Sequence, residues 1–144
     1  MRIKDVLSTK GTNVIAIGPD EAVLTAVRVL SEHRIGAVVV RRGERMVGIL
    51  SERDVLNLAA DDPTRLESAT VAEVMTGDVI VGSPDDELNQ VMNVMTENRI
   101  RHLPIVTGGA LVGIVSIGDV VNAVRRSVEH ENRHLMDYIH GLAG

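Results

Sequence analysis

The chain alternates short β-branched runs with longer stretches of helical periodicity, and it does so twice. Apolar runs at 14–17 and 79–81 are followed by a proline and acids, Gly18-Pro19-Asp20-Glu21 and Ser83-Pro84-Asp85-Asp86. A proline just inside a helix start, with acids facing the positive dipole end, marks the helix that comes next. Ala22, Val23, Ala26, Val27 and Leu30 recur at helical spacing, as do Leu88, Val91, Met92 and Met95, so one face of each helix belongs to a core. Apolar runs at 37–40 and 46–50 then flank Arg41-Arg42-Gly43-Glu44, and runs at 102–106 and 111–115 flank Thr107-Gly108-Gly109. Glycine-bearing loops between short apolar runs predict hairpins. A second helix opens at Ser51 or Ser116, so each unit runs strand, helix, strand, strand, helix.

The two units are copies of each other. Residues 14–57 align without a gap on 79–122, about 65 positions later, with roughly a third of the paired positions identical. Val71-Ala72-Glu73-Val74-Met75 echoes Ile3-Lys4-Asp5-Val6-Leu7 at a short offset, so a lead-in segment is duplicated too. Neither unit is large enough to bury a sufficient core alone, which predicts face-to-face packing about a pseudo-twofold axis with equivalent grooves at the seam. The expected fold is α/β, of the α+β kind. Residues 1–62 form the first repeat with its lead-in, 63–127 the polar linker and second repeat, and 128–144 a C-terminal helical tail. That last helix is predicted to run to about Tyr138. Leu135, Met136 and Ile139 give it an apolar stripe that suits a dimer contact, a docking helix or a cap on its own domain.

Composition narrows the function classes. The 144 residues are 44% hydrophobic, contain no cysteine and carry a net charge of −5. No apolar stretch approaches the roughly 20 residues of a membrane span, and the basic start runs straight into patterned sequence. A soluble cytoplasmic protein without membrane association is expected, and the absence of cysteine suits a reducing interior. Tyr138 is the only aromatic residue. With neither a basic field nor stacking rings, nucleic acid is not an expected partner.

Two motifs carry candidate chemistry. Ser51-x-x-Asp54 and Ser116-x-x-Asp119 each follow a strand ending in Val-Gly-Ile. A serine followed three residues later by an acid at a helix start is a capping box, worth about 1 kcal/mol to the helix. The same corner suits a nucleoside. The glycine admits a close neighbour, the helix aims N–H groups at the turn, the hydroxyl suits a phosphate or ribose oxygen, and the carboxylate accepts from ribose hydroxyls. Both readings stand on spacing alone. The second motif, Asn98-Arg99-Ile100-Arg101-His102-Leu103-Pro104, places two arginines and a histidine at a strand edge, where they either receive phosphate or form solvated surface. The first copy has Arg34-Ile35-Gly36-Ala37 there, a weaker phosphate grip.

The duplicated Gly-Ile-x-Ser-x-x-Asp turn, with Arg-His-Leu-Pro-Ile in the second copy, resembles a tandem pair of cystathionine beta-synthase (CBS) domains along nearly the whole chain. The resemblance implies two interface clefts for adenine nucleotides or related adenosyl ligands: AMP, ADP, ATP, NAD or NADH, with S-adenosylmethionine as a further candidate. One cleft would use Ile49, Ser51 and Asp54 with Val79, Ile80, Arg101 and His102. Val79 and Ile80 would sandwich the adenine, Asp54 would hold the ribose, and Arg101 with His102 would meet phosphate. The mirror cleft would use Ile114, Ser116 and Asp119 with Val14, Ile15, Ile35, Gly36 and Ala37, and would prefer a less charged ligand or none.

His130-Glu131-Asn132-Arg133-His134 matches the HExxH zinc pattern, with His140 at the spacing of a third ligand. Asp137 stands where the chain would need a glycine to turn back, and a continuous helix carries His140 about 9 Å further along its axis. The match is taken as accidental, with no metal and no catalytic cofactor. No nucleophile is paired with an activating base, so an enzyme is not expected. The reading is a homodimeric regulatory module that senses an adenine nucleotide and signals to a client protein. The alternative is a constitutive interaction module whose Ser and Asp only cap helices.

Overall fold

The computed structural model describes residues 1–143. Helix α1 (Ile3–Lys10) precedes strand β1 (Ala16–Ile17), helix α2 (Val23–His33), strands β2 (Ala37–Arg42) and β3 (Arg45–Ser51), and helix α3 (Glu52–Asp61). Two short helices, α4 (Arg65–Ser68) and α5 (Val71–Val74), lead to α6 (Leu88–Glu97), strands β4 (His102–Thr107) and β5 (Ala110–Ser116), and helix α7 (Ile117–Ala143). The duplication is visible in the register. The β2–β3 hairpin pairs Ala37 with Ser51 and Arg42 with Arg45, and shifts at Val40/Arg41. The β4–β5 hairpin pairs His102 with Ser116 and Thr107 with Ala110, and shifts at Ile105/Val106. The equivalent strands β3 and β5 touch across the seam, as a twofold arrangement of two repeats requires.

Four expectations need correction. The proline-acid segments are turns before the helices, not first helical turns. Glu21 Oε2 accepts from the Gly18 amide at 2.6 Å and Asp86 Oδ2 from the Ser83 amide at 2.8 Å, which holds the chain in a loop until Val23 and Leu88. The first strand of the second repeat contracts to a single parallel bridge, Gly82 to Ile105, beyond the apolar run that predicted it. Ile80 and Val81 are exposed there, so those side chains point away from the core. Helix α7 continues past Tyr138 to Ala143. The connection between the units, read as a plain polar stretch, forms a short helix, α4, before the second lead-in folds as α5.

The lead-ins cross over. Ile3, Val6 and Leu7 of α1 are buried with Leu88, Val91, Met95, Leu103, Ile105 and Val115, which is the core of the second repeat. Val71 of α5 is buried with Ile17, Ala26, Leu30, Val38, Val40 and Leu50, the core of the first. Main-chain bonds hold each exchange: Ile3 N–H donates to Asp86 O and Lys4 N–H to Pro84 O, while Val71 N–H donates to Glu21 O and Ala72 N–H to Pro19 O. Each fully buried aliphatic side chain stabilises the fold by about 1.5–3 kcal/mol, so the exchange fastens the repeats together and brings both lead-ins to the seam.

Candidate functional site

Each serine-acid corner stands where the last strand of a repeat turns into its helix. At the first, the Ser51 amide donates to Asp54 Oδ2 at 2.9 Å, the Asp54 amide to Ser51 Oγ at 3.3 Å, and Ser51 Oγ to Asp54 Oδ2 at 3.1 Å. The second corner repeats the amide bonds, Ser116 to Asp119 Oδ2 at 2.8 Å and Asp119 to Ser116 Oγ at 3.1 Å. The capping box is therefore formed in both copies. Glu52 N–H donates to Gly36 O and Ile117 N–H to Arg101 O, so the helix starts aim fewer free donors at the turn than their spacing suggests. Both bonds that the Asp54 carboxylate accepts fall on Oδ2. Among the described residues Oδ1 accepts none, so capping leaves one carboxylate oxygen for a ligand hydroxyl.

Between the repeats lies a cleft of about 860 Å³, within the usual size of small-molecule sites. All seven residues of the first expected cleft line it: Ile49, Ser51, Asp54, Val79, Ile80, Arg101 and His102. Gly36, Ala37 and Ser116, assigned to the mirror cleft, line the same space. Val14, Ile15, Ile35, Ile114 and Asp119 do not. Ile15 and Ile35 pack against the first core, and Val14 is half-buried. Asp119 and the carbonyl of Ile114 face Lys10, whose ammonium lies 2.5 Å from Asp119 Oδ2 and 2.8 Å from Ile114 O.

Arg99, the other arginine of the 98–104 string, lines the cleft beside Arg101, and so do residues that had escaped the motifs: Arg53, Glu52, Leu56, Thr76 and Asp78. Arg53 was legible in principle, because it lies inside the Ser-x-x-Asp corner. Asp78 and Thr76 were not, because their place depends on the lead-in crossing. Arg99 has φ +55°, and its counterpart Arg34 has φ +53°. Both end a helix in the left-handed region that favours glycine, a strained backbone present in each repeat.

The glycine of each Val-Gly-Ile strand admits the crossing lead-in rather than a ligand. A Cβ at Gly48 would lie 2.6 Å from Met75 Sδ and 2.8 Å from Thr76 O, and one at Gly113 would lie 2.7 Å from Leu7 Cδ2. Gly36 has a different role. A Cβ there would lie 2.9 Å from His102 Cε1 and 3.3 Å from Glu52 Oε1, so the missing side chain in the first repeat makes room for the histidine of the second. The asymmetry between Gly36-Ala37 and Arg101-His102 is thus steric as well as electrostatic.

Burial, followed by the positive fields of Lys10 and Arg101, holds the His102 imidazole below its ordinary pKa, against the weaker pull of Glu52 and Asp119. For Asp119 burial opposes ionisation, but bonds from Lys10 and the Ser116 amide outweigh it and keep the carboxyl below the usual carboxylate range. His130 and His134 stack at 6.0 Å between ring centroids on a helix that runs unbroken through His140. Among the described residues no three potential metal ligands gather, and no helix is long and apolar enough to cross a membrane.

Comparison with known proteins accounts for the doubled architecture. The family model described as CBS domain matches residues 3–61 and again 71–126. The chain belongs to the CBS domain family. A mitochondrial CBS domain-containing protein of Arabidopsis thaliana is 36% identical over 148 residues, covering 96% of this chain and 72% of that protein. The crystal structure of a CBS-domain protein from Agrobacterium tumefaciens superposes with a TM-score of 0.83 at 38% identity, covering 85% of this chain and 98% of that one. The CBS domain pair of the protein MJ0100, determined with 5′-methylthioadenosine and S-adenosyl-L-methionine, shares the fold at a TM-score of 0.77 and 23% identity, over 88% of this chain and 98% of that one. This chain is a CBS pair, and modules of this family are generally regulatory rather than catalytic.

Proposed function

We propose that this CBS pair is a sensor of adenine nucleotides that binds its ligand in the cleft between the repeats. The observation that carries this reading is the gathering of Asp54 from one repeat with Val79, Ile80, Arg101 and His102 from the other around one cavity of about 860 Å³. The adenine lies against Val79 and Ile80, which are partly exposed and so ready to be covered. Asp54 Oδ1 accepts from the ribose. Arg101, Arg99 and Arg53, with His102, receive phosphate, where guanidinium groups make charge-assisted paired bonds. AMP, ADP, ATP and NAD(H) fit this division of roles, and S-adenosylmethionine keeps its ribose and adenine parts.

A ligand held by both repeats favours one arrangement of the seam, and this shift is the route to a client protein. We assign dimerisation to the exposed stripe Val121, Val128, Leu135 and Ile139 of α7. A thermal-shift panel of AMP, ADP, ATP, NAD, NADH and S-adenosylmethionine tests the sensor. A ligand at about 100 times its Kd stabilises by about 2.7 kcal/mol. A flat midpoint across the panel would leave the constitutive interaction module as the better reading.

A further inference from the structure

The two lead-ins occupy equivalent places but carry opposite charge at the seam. Leu7 lies over Gly113 as Met75 lies over Gly48, which makes Lys10 the counterpart of Asp78. Their contacts differ accordingly. The first lead-in stays helical through Lys10, and the Lys10 ammonium bonds both Asp119 Oδ2 at 2.5 Å and Ile114 O at 2.8 Å. After the second lead-in helix ends at Val74, the chain pairs by main chain, Ile49 N–H to Thr76 O and Thr76 N–H to Ile49 O. No cation bonds Asp54 among the described residues, and Asp78 lines the open cleft.

We infer that Lys10 is a built-in occupant of the second cleft, satisfying the carboxylate that a ribose would need, so that this CBS pair binds one nucleotide per chain and not two. The reasoning rests on the proposed role of Asp54 and its counterpart Asp119. A ribose entering beside Asp119 has to displace an ammonium that makes two charge-assisted bonds, and its own hydroxyls replace them with neutral donors. Bonds to charged groups are the stronger kind, so the exchange weakens the second cleft by about ten- to a hundredfold relative to the first. Lys10 adds a closure that neither motif encodes.

Isothermal titration with adenosine and with AMP decides the matter. Wild type should bind one equivalent, lost in Asp54→Asn. Lys10→Met, which keeps an unbranched aliphatic stem, should bind two equivalents, and Lys10→Met with Asp119→Asn should return to one. Two equivalents in wild type, or one in Lys10→Met while wild type binds, would overturn the inference. Failure of both probes on wild type and Lys10→Met alike counts against the nucleotide reading itself. A ligand-free measurement then judges the lock. In a thermal double-mutant cycle the Lys10→Met and Asp119→Asn losses in Tm should be less than additive, and strict additivity would show that the two side chains do not engage.

Discussion

Substituting alanine for Gly48 and, separately, for Gly113 tests the crossing of the lead-ins with an internal control, because the positions are equivalent and only their neighbours differ. At Gly48 the added carbon would lie 2.8 Å from a main-chain oxygen, Thr76 O, and 2.6 Å from Met75 Sδ, against an ordinary contact of 3.4–4 Å. The Thr76 backbone cannot rotate away as a side chain can. It has to retreat, which stretches the pair of bonds Ile49 N–Thr76 O at 3.0 Å and Thr76 N–Ile49 O at 2.9 Å. Overpacking costs about 1–3 kcal/mol and each weakened bond about 0.5–1.5 kcal/mol, so Gly48→Ala should cost about 3 kcal/mol. At Gly113 the close neighbour is the end of the Leu7 side chain, with Cδ2 at 2.7 Å, and a rotamer change relieves it for about 1 kcal/mol. In a two-state thermal melt, at about 4 °C per kcal/mol, the losses should be about 12 °C and about 4 °C. Gly48→Ala should also weaken nucleotide binding, because Thr76 leads into Asp78, Val79 and Ile80 of the cleft. Equal losses, or a larger one at Gly113, would refute the claim that main chain covers one glycine and a flexible side chain the other.

The His102 pKa lies below its ordinary value in the folded chain, so the unfolded chain binds the extra proton first. Stability should be complete above about pH 6.5 and fall as pH drops below it, and His102→Gln should flatten that part of a Tm-against-pH profile. Because a phosphate dianion would return the proton, AMP should bind more tightly at pH 7 than at pH 8 with proton uptake visible in different calorimetric buffers, whereas adenosine should show no such trend. Asp54→Ala should weaken adenosine, AMP and ATP alike and cost about 1 kcal/mol of stability through the lost cap, while Arg101→Ala should hurt ATP most and adenosine least; equal losses in Arg101→Ala would contradict the assigned roles. Arg34→Gly should raise stability by about 0.5–1 kcal/mol by relieving a left-handed backbone, and Arg99→Gly should do the same while weakening phosphorylated ligands, as denaturant midpoints and titrations would show.

The repeat, its strand-helix-strand-strand-helix order and the two hairpins were legible in the chain, because period-2 and helical patterns depend on neighbours a few residues apart and recur in step. The serine-acid corners were legible too, as was the contrast between Arg101-His102 and Gly36-Ala37. The helix starts were misread because a carboxylate can serve a turn as well as a helix, and only the backbone shows which amide it accepts from. The first strand of the second repeat was overestimated because an apolar run does not say which face will be covered.

Only the tertiary structure decided which repeat each lead-in joins. Ile3-Lys4-Asp5-Val6-Leu7 and Val71-Ala72-Glu73-Val74-Met75 carry apolar faces that either core would accept, so no local pattern distinguishes packing at home from packing across. Once α1 lies in the second core, Lys10 reaches Asp119 over a separation of 109 positions, and Arg53 and Arg99 meet at one cleft. The chain thus determined two like halves with like corners. The crossing made the corners unlike, because a charge at the end of a lead-in acts on whichever repeat that lead-in covers.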